Sequence, residues 1–223
     1  MTVGDNTPVL QAFLLVFAAL FPIINPPGTA LLFLAMTRGL SHVDRIFLST
    51  RVALYTGIII LASLFIGSYV LIIFGISLPV LRVAGGIVVS IIGWQMLISG
   101  STDNHATSTP SSRSVTVNDA FYPLTMPLTA GPGTIAACIA LGTARPKGAD
   151  VFGTFVAGAV VAVLAISGLI YICFRYSDRI QKLLGAAGSE AFSRLFAFIL
   201  LCVGVQTFWA GFFDLWASLP HHK

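Results

Sequence analysis

Apolar residues fall into six long runs separated by short polar punctuation. The runs extend from about Pro8 to Thr37, Ile46 to Phe74, Leu78 to Ser99, Ala120 to Thr143, Val151 to Phe174 and Phe192 to Ala217. A helix needs about 20 apolar residues to cross a bilayer, so each run is long enough for one crossing. The pattern predicts an all-α membrane protein of six transmembrane helices. Between the third and fourth runs lies STDNHATSTPSSRSVTVND, Ser101 to Asp119, rich in Ser and Thr and without apolar period. It reads as a flexible loop. It divides one integral membrane domain into residues 1–100, a linker at 101–119, and residues 120–223.

Two runs are interrupted. The first contains PIINPPG, Pro22 to Gly28. The fourth holds Pro123, Pro127, Gly131, Pro132 and Gly133. Such residues break a helix in water. In a membrane a broken helix is tolerated where its freed backbone groups face protein or a wet cavity.

Composition removes the competing classes. Residues are 57% hydrophobic and only 9% charged, against about 25% charged in soluble domains. Mean hydropathy is +0.94. Disorder needs the opposite balance. The net charge of +4 fits basic loops held on the cytoplasmic side; no basic stripe interleaved with aromatics suggests nucleic acid. With six spans, one side carries Arg82, Arg145, Lys147 and Lys223. The other carries Arg38, Arg45, Arg51, Arg113, Arg175, Arg179, Lys182 and Arg194. Eight against four puts the second set in the cytoplasm and both termini on the outer, periplasmic side. Trp209, Phe212, Phe213 and Trp216 would anchor the outer interface. Cys138, Cys173 and Cys202 lie in apolar runs and read as small core hydrophobes. His42, His105, His221 and His222 lie in loops or at the terminus, so no metal site is expected. The opening MTVGDNTPVL lacks a positive n-region, so no cleaved signal peptide is expected.

The interruptions repeat. PIINPPGTA and PLTAGPGTI match at Pro22 with Pro127, Pro27 with Pro132, Gly28 with Gly133 and Thr29 with Thr134, all at one interval. Both lie in the first span of a three-span half. A weaker echo places Arg82 and Arg194 at the openings of the third and sixth spans, followed by Gln95 and Gln206. Three crossings is an odd number, so the second half enters from the opposite face. Inverted repeats with interrupted helices put a binding site near the midplane, between the breaks.

The breaks have a definite chemistry. Pro26 and Pro27 lack N–H groups, Pro27 suits the first turn of a new half-helix, and Asn25 is placed to cap it. Gly28 and Thr29 then offer free N–H groups, and Gly28 leaves room for a ligand. Thr129, Ala130, Gly131, Pro132, Gly133 and Thr134 repeat the arrangement. Two half-helix N-termini, each carrying roughly half a positive charge, would hold a carboxylate. Unwound carbonyls around Ile23, Ile24, Thr129 and Ala130 would take an ammonium group or a cation. The competing reading is a pair of proline kinks that only shape packing. Every acid lies in a loop or at a span end, so a carboxylate proton relay is not supported. A coupling ion, Na⁺ or H⁺, would have to use carbonyls and hydroxyls; no cofactor is expected. Arg82 and Arg194 are either secondary site residues or interfacial snorkels. Gln95 and Gln206 read as interhelix hydrogen-bond partners, and Gly85, Gly86, Gly93, Gly153, Ala157 and Gly158 as packing positions.

These motifs resemble the MarC family of bacterial inner-membrane proteins. The likeness rests on NPPGTALLFLAMT from Asn25, FGISLPVLRVAGGI from Phe74, PLTAGPGTI from Pro127 and SRLFAFILLCVGVQ from Ser193. The family's N-P-x-G is met at Asn25 to Gly28 and its A-G-P-G at Ala130 to Gly133, with Pro26-Pro27 doubling a proline that is often single. The resemblance implies six helices in two inverted three-helix repeats, the first and fourth helices broken. It also implies a substrate such as glycine or alanine.

The sequence thus predicts a secondary transporter, not an enzyme, moving a small neutral amino acid across the bacterial inner membrane by alternating access. Partners expected are that substrate, the lipid bilayer and, in reserve, a second copy of the chain. A passive channel for small neutral solutes or an anion, and a non-transporting scaffold, are the alternatives.

Overall fold

In the computed structural model, the described residues are 7–37, 39–98, 116, 118–143 and 149–218. Among them, all regular structure is helical. The first run forms α1 (Thr7–Ile24) and α2 (Pro26–Met36), which abut at Asn25. The second forms α3 (His42–Phe65) and a short α4 (Gly67–Ile73), and the third forms α5 (Leu78–Ile98). The fourth begins as a wide, π-wound segment, Ala120–Thr129, and continues as α6 (Pro132–Thr143). α7 (Ala149–Arg175) and α8 (Ser177–Ala217) complete the chain.

Five of these stretches are long and apolar enough to cross a membrane: Pro8–Met36, His42–Phe65, Leu78–Ile98, Val151–Arg175 and Ala187–Ala217. α6 is apolar but has only 12 residues. The linker 101–119 lies outside the described residues except at 116, 118 and 119. Arg38, Arg113, Arg145, Lys147 and Lys223 also lie outside them.

Local chemistry explains the helix ends. Ser41 caps α3: its hydroxyl accepts from the Asp44 N–H at 3.2 Å and donates to the Asp44 carboxylate at 2.7 Å. α4 closes at Gly75, whose φ of +66° suits a residue without Cβ. There the Gly75 N–H reaches the Ile72 carbonyl and the Ile76 N–H the Leu71 carbonyl, a Schellman closure. The second run was read as a single span, and the structure splits it at Ile66. The stretch before the sixth run, which falls outside the apolar runs, is helical from Ser177, with a break at Gly185, φ +66°. Each half therefore inserts a short helix between its second and third long helices, and a glycine at φ +66° ends each one.

The core lies where α1, α2, α3 and α7 meet. Val16, Leu20, Phe33, Leu48, Ile60 and Ile166 are fully enclosed there, and the Phe33 and Phe174 rings stack at 4.5 Å. α5 and α8 run against each other. A Cβ on Gly86 would stand 2.3 Å from the Phe208 nitrogen, one on Gly93 2.5 Å from the Leu201 nitrogen, and one on Gly204 2.5 Å from the Ser90 nitrogen. This backbone-to-backbone seam is the small-residue packing that membranes favour, since lipid supplies no hydrophobic drive between helices. Gly85 and Gly158 also pack closely, against Ala136 and α1. Gly153 and Ala157 do not: both are exposed, and a Cβ on Gly153 would meet nothing. Those two positions fall on the outer face of α7, where small size is not needed. Cys138 and Cys173 are buried, as expected, but Cys202 is exposed.

The remaining contacts join the elements that carry the two breaks. α1 packs on α7 and α6. α2 packs on α7, α8 and the wound segment. α3 packs on α6, α7 and the wound segment, and α5 on α6. Large apolar side chains such as Leu14, Ile58, Leu164 and Phe198 cover the outside, which is why so hydrophobic a chain leaves so much of its apolar surface uncovered. Trp209, Phe212, Phe213 and Trp216 form an exposed aromatic stripe at the end of α8, with ring centroids 5.9–6.4 Å apart along it.

Candidate functional site

At the first break Asn25 is 2% exposed and adopts a left-handed backbone, φ 48° and ψ 63°. It caps α2 as expected, with Pro26 and Pro27 in the first turn. Its Oδ1 accepts from the Gly28 N–H at 3.1 Å, and its carbonyl accepts from the Thr29 N–H at 2.9 Å. The sequence reading had left both N–H groups free for a ligand. The cap uses one and the first helical turn the other, and the two prolines have none, so this half-helix presents no free N–H. What it presents is the Asn25 Nδ2, a buried donor with no partner among the described residues. Nor does Gly28 leave room for a ligand: a Cβ there would lie 2.2 Å from that same Nδ2.

The first break is richer in acceptors. Pro26 and Pro27 cannot donate to the carbonyls one turn back, which frees those of Pro22 and Ile23. The buried Thr29 hydroxyl donates to the carbonyls of Asn25 at 3.0 Å and Pro26 at 3.2 Å. Its own lone pairs stay available to a donor.

The second break is built differently. The wound segment has extended residues at Tyr122 and Met126. Its last bond runs five residues back, from the Ala130 N–H to the Thr125 carbonyl at 2.8 Å. The buried Thr125 and Thr129 hydroxyls donate to the carbonyls of Ala120 and Leu124. These side chains close ladder positions that the wide winding opens, as membrane helix breaks require. α6 begins at Pro132, which has no N–H of its own. The N–H groups of Gly131 and Thr134 find no backbone acceptor among the described residues, and Thr134 is only 3% exposed. Gly133 faces α5, where a Cβ would strike the Val89 side chain; it is a packing glycine. α6 is thus the half-helix with an open N-terminus, and its partial positive charge faces buried surroundings.

The two breaks therefore carry unlike groups. One offers free carbonyls and a single amide donor. The other offers backbone N–H groups at a helix N-terminus. α1 touches α6, and α2 touches the wound segment, so the elements that carry the two breaks are in contact.

The second set of predicted site residues is not brought together. Arg82 on α5 pairs with Asp214 on α8 at 2.7 Å, whereas Arg194 pairs at 2.6 Å with Glu190 on its own helix. Gln95 and Gln206 are exposed and make no hydrogen bond among the described residues. They stand off the glycine seam, so the close approach of α5 and α8 turns them outward instead of pairing them. Sequence reading missed the wound segment's Thr125, whose only signal is a Thr two residues before Pro127.

Comparison with known proteins gives a consistent picture. The family model described as MarC family integral membrane protein matches residues 10–215. The inner membrane protein MarC of Salmonella paratyphi A is 36% identical over 207 residues, covering 89% of this chain and 92% of the relative. Relatives of the same name in Citrobacter koseri and Escherichia coli O1:K1 / APEC are 36% and 34% identical, with the same coverage. No solved structure matches the chain.

Proposed function

The chain belongs to the MarC family of integral membrane proteins, and from that premise we propose that it is a secondary transporter for a small neutral amino acid such as glycine or alanine. The observation that carries this reading is the unlike pair of breaks. A zwitterion needs donors for its carboxylate and acceptors for its ammonium group, a few ångströms apart. The N–H groups of Gly131 and Thr134 hold the carboxylate at the α6 N-terminus, assisted by the Asn25 amide, while Pro132 and Gly133 set the turn between them. The freed carbonyls of Pro22 and Ile23, with the Thr29 oxygen, hold the ammonium group. Thr129 and Ala130 shape the turn that aims α6, and Pro26, Pro27 and Gly28 shape the turn that aims Asn25. Small residues at both turns favour a small substrate.

Six crossings in two inverted repeats fit this reading, with the wound segment and α6 as the broken fourth crossing. The support is reciprocity. Exchange α1 with the wound segment, α2 with α6, α3 with α7 and α5 with α8. Contact of α1 with α7 then becomes contact of the wound segment with α3; α2 on α8 becomes α6 on α5; α1 on α6 becomes the wound segment on α2. Each of these three exchanged pairs is in contact. The short helices ending at Gly75 and Gly185 exchange as well. A site on such an axis opens to either face by rocking one repeat against the other.

The test is uptake of labelled glycine and alanine by purified protein in liposomes. Saturable uptake, competed by the other small neutral amino acids, is expected. Folded protein showing no saturable uptake of any of them would end the proposal.

A further inference from the structure

A groove of about 460 Å³ runs along the outside of α3 and α7. Its wall is apolar, with Leu54, Ile58 and Leu61 from α3 and Val163, Leu164 and Gly168 from α7. Gly57 lets the helices close beneath it: a Cβ there would stand 2.7 Å from the Ser167 Oγ. The helices are antiparallel, since Gly57 meets Ser167 and Arg45 meets Asp178 at 2.9 Å. Thr50 and Tyr171 therefore mark the same end of the groove.

At that end the chemistry changes. Arg51, Leu54, Ile58 and Leu61 follow one helical stripe of α3, and Leu164, Gly168, Tyr171 and Arg175 follow one of α7. Each stripe finishes in an arginine. The Arg175 guanidinium donates to the Tyr171 hydroxyl, which lines the groove. The Arg51 guanidinium carbon lies 4.3 Å from the Phe47 ring centroid. Among the described residues neither arginine has a carboxylate partner, unlike Arg45, Arg82 and Arg194. Thr50 adds a hydroxyl whose proton goes to the Ile46 carbonyl at 3.0 Å, leaving lone pairs outward. An apolar trough ending in two guanidiniums that have no carboxylate partner among the described residues complements one amphipathic anion.

We propose that this groove is a specific site for an anionic phospholipid, its acyl chain lying along Leu54, Ile58, Leu164 and Gly168 and its phosphate held between Arg51 and Arg175. Charge complementarity selects the headgroup. Basic pockets between membrane helices bind anionic headgroups, with each arginine contributing about a fivefold preference. Guanidinium geometry adds bidentate contact to phosphate oxygens. The site is separate from the helix breaks and holds whether or not the chain transports amino acids.

Native mass spectrometry of the full-length protein tests it, with titration by phosphatidylglycerol and by phosphatidylcholine of identical chains. Phosphatidylglycerol should be retained with a preference on the order of tenfold. In the Arg51→Gln/Arg175→Gln double variant that preference should fall to near unity. Gly168→Leu tests the chain contact independently, because a Cβ at Gly168 meets nothing within 4 Å and the new side chain can only fill the groove. It should lower phosphatidylglycerol retention at least fivefold while both arginines remain. Arg194→Gln, which touches an exposed pair elsewhere, should leave retention unchanged. Equal retention of both lipids by the wild type, or variants that bind as the wild type does, would overturn the proposal. So would an equal loss in Arg194→Gln.

Discussion

The left-handed backbone of Asn25 costs most residues with a Cβ roughly 1–2 kcal/mol, and asparagine less than most. Its unpartnered Nδ2 adds the cost of a buried unsatisfied donor, about 1–3 kcal/mol. A glycine would remove both costs but would strip the buried Gly28 N–H of its acceptor, a loss of similar size. Stability therefore gives asparagine little advantage here, and the proposed donation from Nδ2 to a ligand carboxylate would give it a use. Asn25→Gly should leave the melting temperature in detergent close to wild type. It should raise the KM for glycine or alanine uptake about tenfold or more, the value of one hydrogen bond to a charged group. An unchanged KM would reduce Asn25 to a cap. The cap itself was legible in the sequence, because Asn before Pro-Pro-Gly has few other uses. The cap must use Oδ1, since only the amide oxygen accepts from an N–H; that Nδ2 would be left buried without a partner among the described residues was not legible. That depends on the αL geometry, which turns Oδ1 onto Gly28 and leaves Nδ2 over.

Periodic apolar runs told most of the story at the level of the elements, and proline and glycine marked both breaks. The winding of Ala120–Thr129 was not readable. Prolines predict that a ladder stops, but not that the Ala130 N–H reaches five residues back. The inserted short helices were missed because α4 merges with a neighbouring run and the start of α8 falls outside the apolar runs. Small residues were read as one class, and the structure divides them. On the α5–α8 seam a side chain at Gly93 would press into the Leu201 backbone, which cannot yield as a side-chain tip can. Gly93→Leu should cost at least the ~1–3 kcal/mol of ordinary overpacking and lower the detergent melting temperature. It should also disturb the Arg82–Asp214 pair farther along the same seam. Gly153→Leu, where nothing lies within 4 Å, should melt as the wild type does. Equal melting of the two variants would mean that α5 and α8 are not held by this close approach.

For the molecule as a whole, the ion pairs sort the charges by end. Arg45 meets Asp178, and Arg51, Arg175 and Arg179 lie within two turns of that pair along their helices; Arg82 meets Asp214 at the opposite end, since α3 crosses the molecule between Arg45 and Arg82. The richer end is the one that the positive-inside rule assigns to the cytoplasm. Exposed Trp209 and Trp216 then sit with Arg82 and Asp214 at the outer interface, where amphipathic rings anchor helices. Both chain ends should accordingly be periplasmic. Alkaline phosphatase fused after residue 223 should be active in cells, and a fluorescent protein in its place should be dark. The reverse pattern would invert the assignment. It would also move the arginine end of the α3–α7 groove to the outer leaflet without altering its geometry. The proposed inverted repeat is compatible with either outcome, since the two-fold axis of such a repeat lies in the membrane plane and is indifferent to which face is which. Orientation thus hangs on a handful of loop cations, whereas the packing of α1 on α6 and α2 on the wound segment does not depend on them.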